Sequence, residues 1–276
     1  RMPDFLIGVV AGPIAVALFR VGARALEVIS RSVVQPIQDA SMSAFARIKN
    51  QDSLGNAVQR ALGAASIILF PAISGAGALG SDLTVLLFGD KYAASGPIMT
   101  ILAVGAVAQS VVLITGSAYI ATGKAQASLW ANAIALVLIG VLIVAGTALY
   151  GAVGAATGAA LGQWLLFFAG LVLMRKYLGV HISALLKSLA LPFFASLAMA
   201  VLCGAIVHRM PDAPLPLRLA TGIASGLVAY PVLLLLFGRG KLRELTAEMQ
   251  GILPERLMTR LPGWLHRKVE NDPPSA

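Results

Sequence analysis

Long stretches without a single charge constrain this chain's fold more than any other feature of it. Residues 61–81, 92–123, 125–174, 188–208 and 219–238 contain no Asp, Glu, Lys or Arg. A helix needs about 20 apolar residues to cross a hydrocarbon core of roughly 30 Å, and every one of these runs meets that length. The run 125–174 is long enough for two helices, and Tyr150-Gly151-Ala152-Val153-Gly154 at its middle reads as a tight turn between them. That makes six helices. Residues 5–19 add a shorter span ending at Arg20, and an eighth covers about 24–45. The expectation is an all-α, polytopic transmembrane helical bundle of about eight spans over residues 1–238. A cytoplasmic amphipathic tail, 239–276, follows, with Leu242, Leu245, Met249, Leu253 and Leu257 at near-helical spacing and Trp264 between basic residues.

Composition closes off the other classes. The chain is 58% hydrophobic and 12% charged, against roughly 25% charged in an average soluble domain. This excludes an ordinary soluble enzyme, and a chain so apolar cannot stay disordered in water. The apolar runs are continuous, where a membrane β-barrel shows alternating segments of about ten residues.

Lys and Arg in the loops set the orientation. With the N-terminus inside and the spans alternating, the cytoplasmic segments hold 15 basic residues and the outer segments five, with Arg31 left in the membrane. Both termini are therefore expected in the cytoplasm. The net charge of +9 is mostly this topology signal, and nucleic acid is not an expected partner, because the basic residues form no patch with aromatic neighbours. The single cysteine, Cys203, lies in a span, and His181, His208 and His266 form no ligand cluster. No cofactor or metal is expected. No signal peptide is evident, and a start at Arg1-Met2-Pro3 directly on a span points to a piece of a longer protein.

One segment breaks the apolar pattern. Arg24, Glu27, Arg31, Gln35, Gln38 and Asp39 are spaced by three, four, four, three and one residues, which puts them along one helix face. An ionised side chain at mid-membrane costs at least about 2.5–3.5 kcal/mol, so it should face a cavity or a partner. Two arginines with one glutamate between them pair locally and still leave positive charge. A cationic, water-filled cavity of this kind suits a phosphate or pyrophosphate head group. The competing reading is an amphipathic helix lying on the membrane surface. Pro36 inside the stripe is expected to kink the helix.

Weaker signals have plainer readings. Gly75-Ala76-Gly77-Ala78-Leu79-Gly80 has the G-x-G-x-x-G spacing but ends an apolar span and follows no strand, so close helix packing is the expectation rather than a nucleotide. Gly154, Gly158 and Gly162, and again Gly222 and Gly226, carry the small-residue interval that lets membrane helices approach. Pro71 and Pro192 are expected to kink their helices. Neither G-x-S-x-G nor H-E-x-x-H occurs, and the polar groups suit holding a solute rather than reacting with it.

Taken along the chain, Asp4-Phe5-Leu6-Ile7-Gly8, residues 23–45 with Gln35-Pro36-Ile37, Leu86-Leu87-Phe88-Gly89-Asp90-Lys91-Tyr92, Gly96-Pro97-Ile98 and Ala121-Thr122-Gly123-Lys124 resemble the polysaccharide exporters. The family is that of the Wzx-type lipid-linked oligosaccharide flippases, in the multidrug/oligosaccharidyl-lipid/polysaccharide superfamily, and the resemblance covers about residues 4–240. It implies the second of two pseudo-symmetric helical lobes, with the N-terminal lobe missing. It also implies export of undecaprenyl-diphosphate-linked sugar units across the bacterial inner membrane without ATP. The implied partners are the lipid-linked oligosaccharide, membrane lipids and a coupling ion, H+ or Na+. On that resemblance Arg24 and Arg31 hold the diphosphate, Glu27 and Asp39 tune them or couple to protons, and Gln35 and Gln38 hydrogen-bond sugar hydroxyls. The alternatives are a lipid II or multidrug exporter of the same superfamily, or a non-transporting scaffold of a glycan-assembly complex. The arginines argue against cationic drugs, which they would repel.

Overall fold

The computed structural model describes residues 2–48, 51–121, 123 and 125–237; the expected tail, 239–276, lies outside them. The described residues are helical almost throughout: α1 (Met2–Phe45), α2 (Gln51–Ala78), α3 (Gly80–Phe88), a 3-10 turn (Asp90–Ser95), α4 (Gly96–Ala121), α5 (Ala125–Leu178), α6 (Ile182–His208) and α7 (Leu215–Phe237). Six helices among them are long and apolar enough to cross a membrane: α2, α4, α5, α6 and α7, which hold the five charge-free runs, and α1. One of the six, α5, is a pair of arms folded back on each other, so the described residues make seven passes.

The α5 reversal sits where the sequence places it. Tyr150 and Gly151 leave helical geometry, with Gly151 at φ 59, a conformation that glycine adopts without steric cost. The two arms then run antiparallel in tight register. Gly146 faces Gly154, Gly158 faces the Leu142 carbonyl, and Gly162 faces Ile139. Each glycine's missing side chain is the space the opposite backbone occupies, so the Gly154, Gly158 and Gly162 interval packs within the chain. At Gly222 and Gly226 the space is taken instead by side chains, those of Leu79, Val207 and Cys203.

The first reversal falls elsewhere than expected. Helix α1 passes through residues 19–24 without a break, and its one non-helical residue is Gly12, at φ 80 and ψ 179. Asp4 nevertheless meets Arg20 at 2.9 Å, and Gly8 faces Val16. Sixteen residues of straight helix would separate Asp4 from Arg20 by about 24 Å. The chain therefore doubles back at Gly12, and a short arm, 2–11, lies against a long one, 13–45. The physical cause is Gly12-Pro13: the glycine takes the positive φ, and proline starts the next helix where its missing N–H costs nothing. Ile7 of the short arm is buried with Phe19, Ile98, Ile143 and Ala155, fixing the pair against α4 and α5.

The largest core cluster joins α1, α2, α4, α5 and α6, through residues such as Leu26, Leu69, Val107, Met174 and Leu185. Because α1 contributes Ala25, Leu26, Val34 and Phe45 to this core, it is a member of the bundle rather than a helix lying apart on a surface. The pair α6 and α7 packs on α2, where the Tyr230 hydroxyl donates to the Ile67 carbonyl at 2.9 Å. The glycines at 75–80 serve helix packing: Gly77 faces Ala103, and the Thr100 hydroxyl donates to the Gly77 carbonyl at 2.7 Å. Large apolar side chains such as Ile14, Leu149, Val172, Phe194 and Leu227 point outward, as lipid contact requires.

Candidate functional site: a cationic cleft along α1

The long arm of α1 is exposed on one side because its other side is used up in the core. Ala25, Leu26 and Val34 are buried, while Arg24 and Arg31 stand clear with side chains 64% and 69% exposed. Glu27 lies between them and gives one carboxylate oxygen to each. Its Oε2 accepts from Arg24 Nη1 at 3.1 Å, and its Oε1 accepts from Arg31 Nη2 at 2.6 Å. These are the i,i+3 and i,i+4 neighbours that a helix surface brings together. One turn earlier, Arg20 pairs with Asp4 across the α1 reversal at 2.9 Å. Three guanidiniums against two carboxylates leave the face positive.

Two adjoining clefts open along this face. The first, about 880 Å³, is bounded by the two arms of α1 and by Phe88 and Tyr92, and takes in Asp4, Arg20, Arg24 and Glu27. The second, about 500 Å³, lies between α1, α4 and the second arm of α5. It takes in Glu27, Ser30, Arg31, Gln35 and Gln38 from α1, Gln109 from α4 and Gln163 from α5. Ala23 and Glu27 belong to both linings, so the clefts are continuous along the helix.

Five of the six residues singled out in the sequence thus line one continuous surface: Arg24, Glu27, Arg31, Gln35 and Gln38. Asp39 does not. It is exposed and on neither lining, about 9 Å short of the helix's last residue by helical rise, so it belongs to the membrane-edge end of α1.

Four further residues join the site. Arg20 and Asp4 enter through the reversal at Gly12, which a reading of 5–19 as a separate span could not anticipate. Gln109 and Gln163 lie inside charge-free runs, where a count of ionisable groups passes over them. A signal for both was present, since an amide in a hydrocarbon-spanning helix costs free energy unless something hydrogen-bonds it.

Chemically, the arrangement suits an anion. A guanidinium presents its donors as a planar fork that matches phosphate oxygens two at a time. At the exposure of Arg24 and Arg31, ion pairing with Glu27 contributes only about 0–1 kcal/mol, so opening these pairs costs little.

Comparison with known proteins agrees with the family resemblance. Residues 1–97, which contain α1, α2 and α3, match a family described as "Polysaccharide biosynthesis protein". Over 181 residues the chain is 26% identical to the teichuronic acid biosynthesis protein TuaB of Bacillus subtilis (strain 168), covering 61% of this chain and 35% of that protein. The fold is similar to the lipid II flippase MurJ in an inward closed conformation, with TM-score 0.55 and 12% identity, over 82% of this chain and 47% of that one. The chain spans about a third of that curated relative and about half of that structure. The chain is thus a multi-pass helical membrane protein whose first third matches a polysaccharide biosynthesis family and whose fold is similar to that of the flippase.

Proposed function

We propose that the complete protein carries an undecaprenyl-diphosphate-linked oligosaccharide unit from the cytoplasmic to the periplasmic leaflet of the bacterial inner membrane, for polysaccharide export. One observation carries this reading: Glu27 held between Arg24 and Arg31 on a membrane helix, opening on a continuous cleft. The diphosphate displaces the Glu27 carboxylate, and the two guanidiniums take its oxygens in pairs. On release at the far leaflet, Glu27 re-forms both ion pairs, so neither guanidinium of the empty cleft is left without a partner. No covalent step and no nucleotide enters this cycle. A second, N-terminal lobe supplies the opposite wall, and rocking of the lobes gives alternating access, with H+ or Na+ as the coupling ion and Glu27 and Asp39 as the carboxylates available to it.

The fold likeness to a lipid II flippase favours one other reading, export of a peptidoglycan precursor, and the arginine clamp serves it equally. The test is Arg31→Ala in the full-length protein at unchanged protein level. Glycan export falls at least tenfold if the clamp holds the diphosphate; normal export would sink the proposal. Complementation of a strain lacking its lipid II flippase separates the two cargoes.

A further inference from the structure

The second cleft carries a set of groups that the diphosphate does not need. Gln35 and Gln38 from α1, Gln109 from α4 and Gln163 from α5 converge on one lining. Helix register puts three of them at one depth. Gly22 of α1 packs on Ser95 and Met99 of α4, so Gln35, thirteen residues further on, lies about 20 Å down the bundle, level with Gln109. Gly105 packs on Ala160, where a side chain would meet its Cα at 2.7 Å, and the next turn of each helix brings Gln109 beside Gln163. Arg31 precedes Gln35 by one helical turn on the same face.

Among the described residues, no side-chain hydrogen bond joins any of the four amides to a neighbour. The Ser30 hydroxyl on the same lining is buried and likewise makes none. Small residues, Gly105, Ala106, Ala159 and Ala160, form the floor and keep the space above them open. An amide both donates and accepts without carrying charge, and so does a sugar hydroxyl. Four such groups in an apolar bundle, one turn from a guanidinium, match an uncharged ring carried on a diphosphate.

We propose that Gln109 and Gln163, with Gln35 and Gln38, form a subsite for the diphosphate-proximal sugar of the cargo, selective for a neutral pyranose. This rests on the flippase reading above and adds to it the sugar-contacting residues on α4 and α5. Charge selects the lipid diphosphate at Arg24 and Arg31; the amides select what is attached to it.

The test measures binding to the full-length protein in lipid nanodiscs, with undecaprenyl diphosphate and undecaprenyl diphosphoglucose as probes. Two or three hydrogen bonds to the ring correspond to about a tenfold preference of the wild type for the glucosylated lipid. Gln109→Leu/Gln163→Leu brings that ratio to within about twofold while the affinity for bare undecaprenyl diphosphate stays unchanged. Gln109→Ala alone, at an exposed position, lowers the ratio part of the way and guards against a folding defect in the double variant. A preference that survives both variants, a wild type indifferent to the sugar, or an equal loss of both lipids overturns the subsite. An indifferent wild type that still binds both lipids leaves the flippase reading standing; a wild type that binds neither removes both.

Discussion

Arg218, at the start of α7, reaches across the bundle to the Asp82 carboxylate of α3 at 2.8 Å, and both side chains are largely buried. Around them lie Leu79, Leu83, Leu215 and Leu219, and Asp82 Oδ2 and Arg218 Nε have no hydrogen-bond partner of their own. The pair is therefore incompletely satisfied in an apolar setting. Such a pair adds little net stability, yet breaking it leaves one charge stranded, at about 3–5 kcal/mol.

Arg218→Leu is accordingly expected to lower the thermal midpoint of the detergent-solubilised full-length protein by several degrees. Asp82→Leu/Arg218→Leu recovers most of the loss, because two well-packed leucines replace two unsatisfied charges. A melting temperature unchanged by Arg218→Leu would mean that water reaches the pair.

The α5 hairpin offers a cleaner packing test. Gly158 faces the Leu142 carbonyl with no room for a methyl group, whereas a side chain at Gly170 meets nothing within 4 Å. Gly158→Ala forces the arms apart and costs about 1–3 kcal/mol. Gly170→Ala is neutral or stabilising, by up to about 1 kcal/mol, from helix propensity alone. Limited proteolysis at Tyr150 and thermal melts on the two variants read the difference, and equal behaviour would contradict the register.

How far the sequence alone reaches differs between these features. The α5 turn was legible because glycine falls at the midpoint of a run too long for one helix. The α1 turn at Gly12-Pro13 was not, although the dipeptide is a turn signal, because it lies inside an apolar run whose only visible boundary was Arg20. The charged stripe showed one wall of the site, since periodicity reports which residues share a helix face. It says nothing of which face of another helix comes opposite, so Gln109 and Gln163 emerged only from the packing of Gly105 on Ala160. The Asp82–Arg218 pair is equally invisible, joining residues far apart in the chain that each looked like a loop charge.

Glu27 separates binding from stability. Its partners are about two-thirds exposed, so Glu27→Gln should change stability by less than about 1 kcal/mol. It should also bind undecaprenyl diphosphate several-fold tighter, since the competing carboxylate is gone, and export glycan more slowly, since release loses its counter-ion. Equilibrium binding and export, measured on one preparation and one strain, check both halves. Weaker lipid binding in Glu27→Gln would show that the carboxylate positions the arginines rather than competing with the ligand.

The faces of the bundle give the last prediction. Gly55 at the start of α2 is packed on the Gly179 carbonyl at the end of α5, so the α1–α2 connection and the α5–α6 connection share one face. Asp82 and Arg218 bring α3 and the start of α7 together on the other, alongside Asp212 in the α6–α7 turn, and the α5 turn at Tyr150 returns to that face as well. The excess of Lys and Arg assigns the first face to the cytoplasm. Gly55 is buried by its contact with Gly179, so the exposed Arg47 is the better reporter there. In a Cys203→Ala background, Tyr150→Cys and Asp212→Cys should react with a membrane-impermeant maleimide on intact spheroplasts, and Arg47→Cys only after permeabilisation. Labelling of all three from outside would break the seven-pass arrangement, whereas a clean exchange of sides would keep the fold and invert its orientation. In that case Arg24 would face the cytoplasm at the mouth of the cleft, and the diphosphate would meet the arginines before the amides on entry rather than on exit.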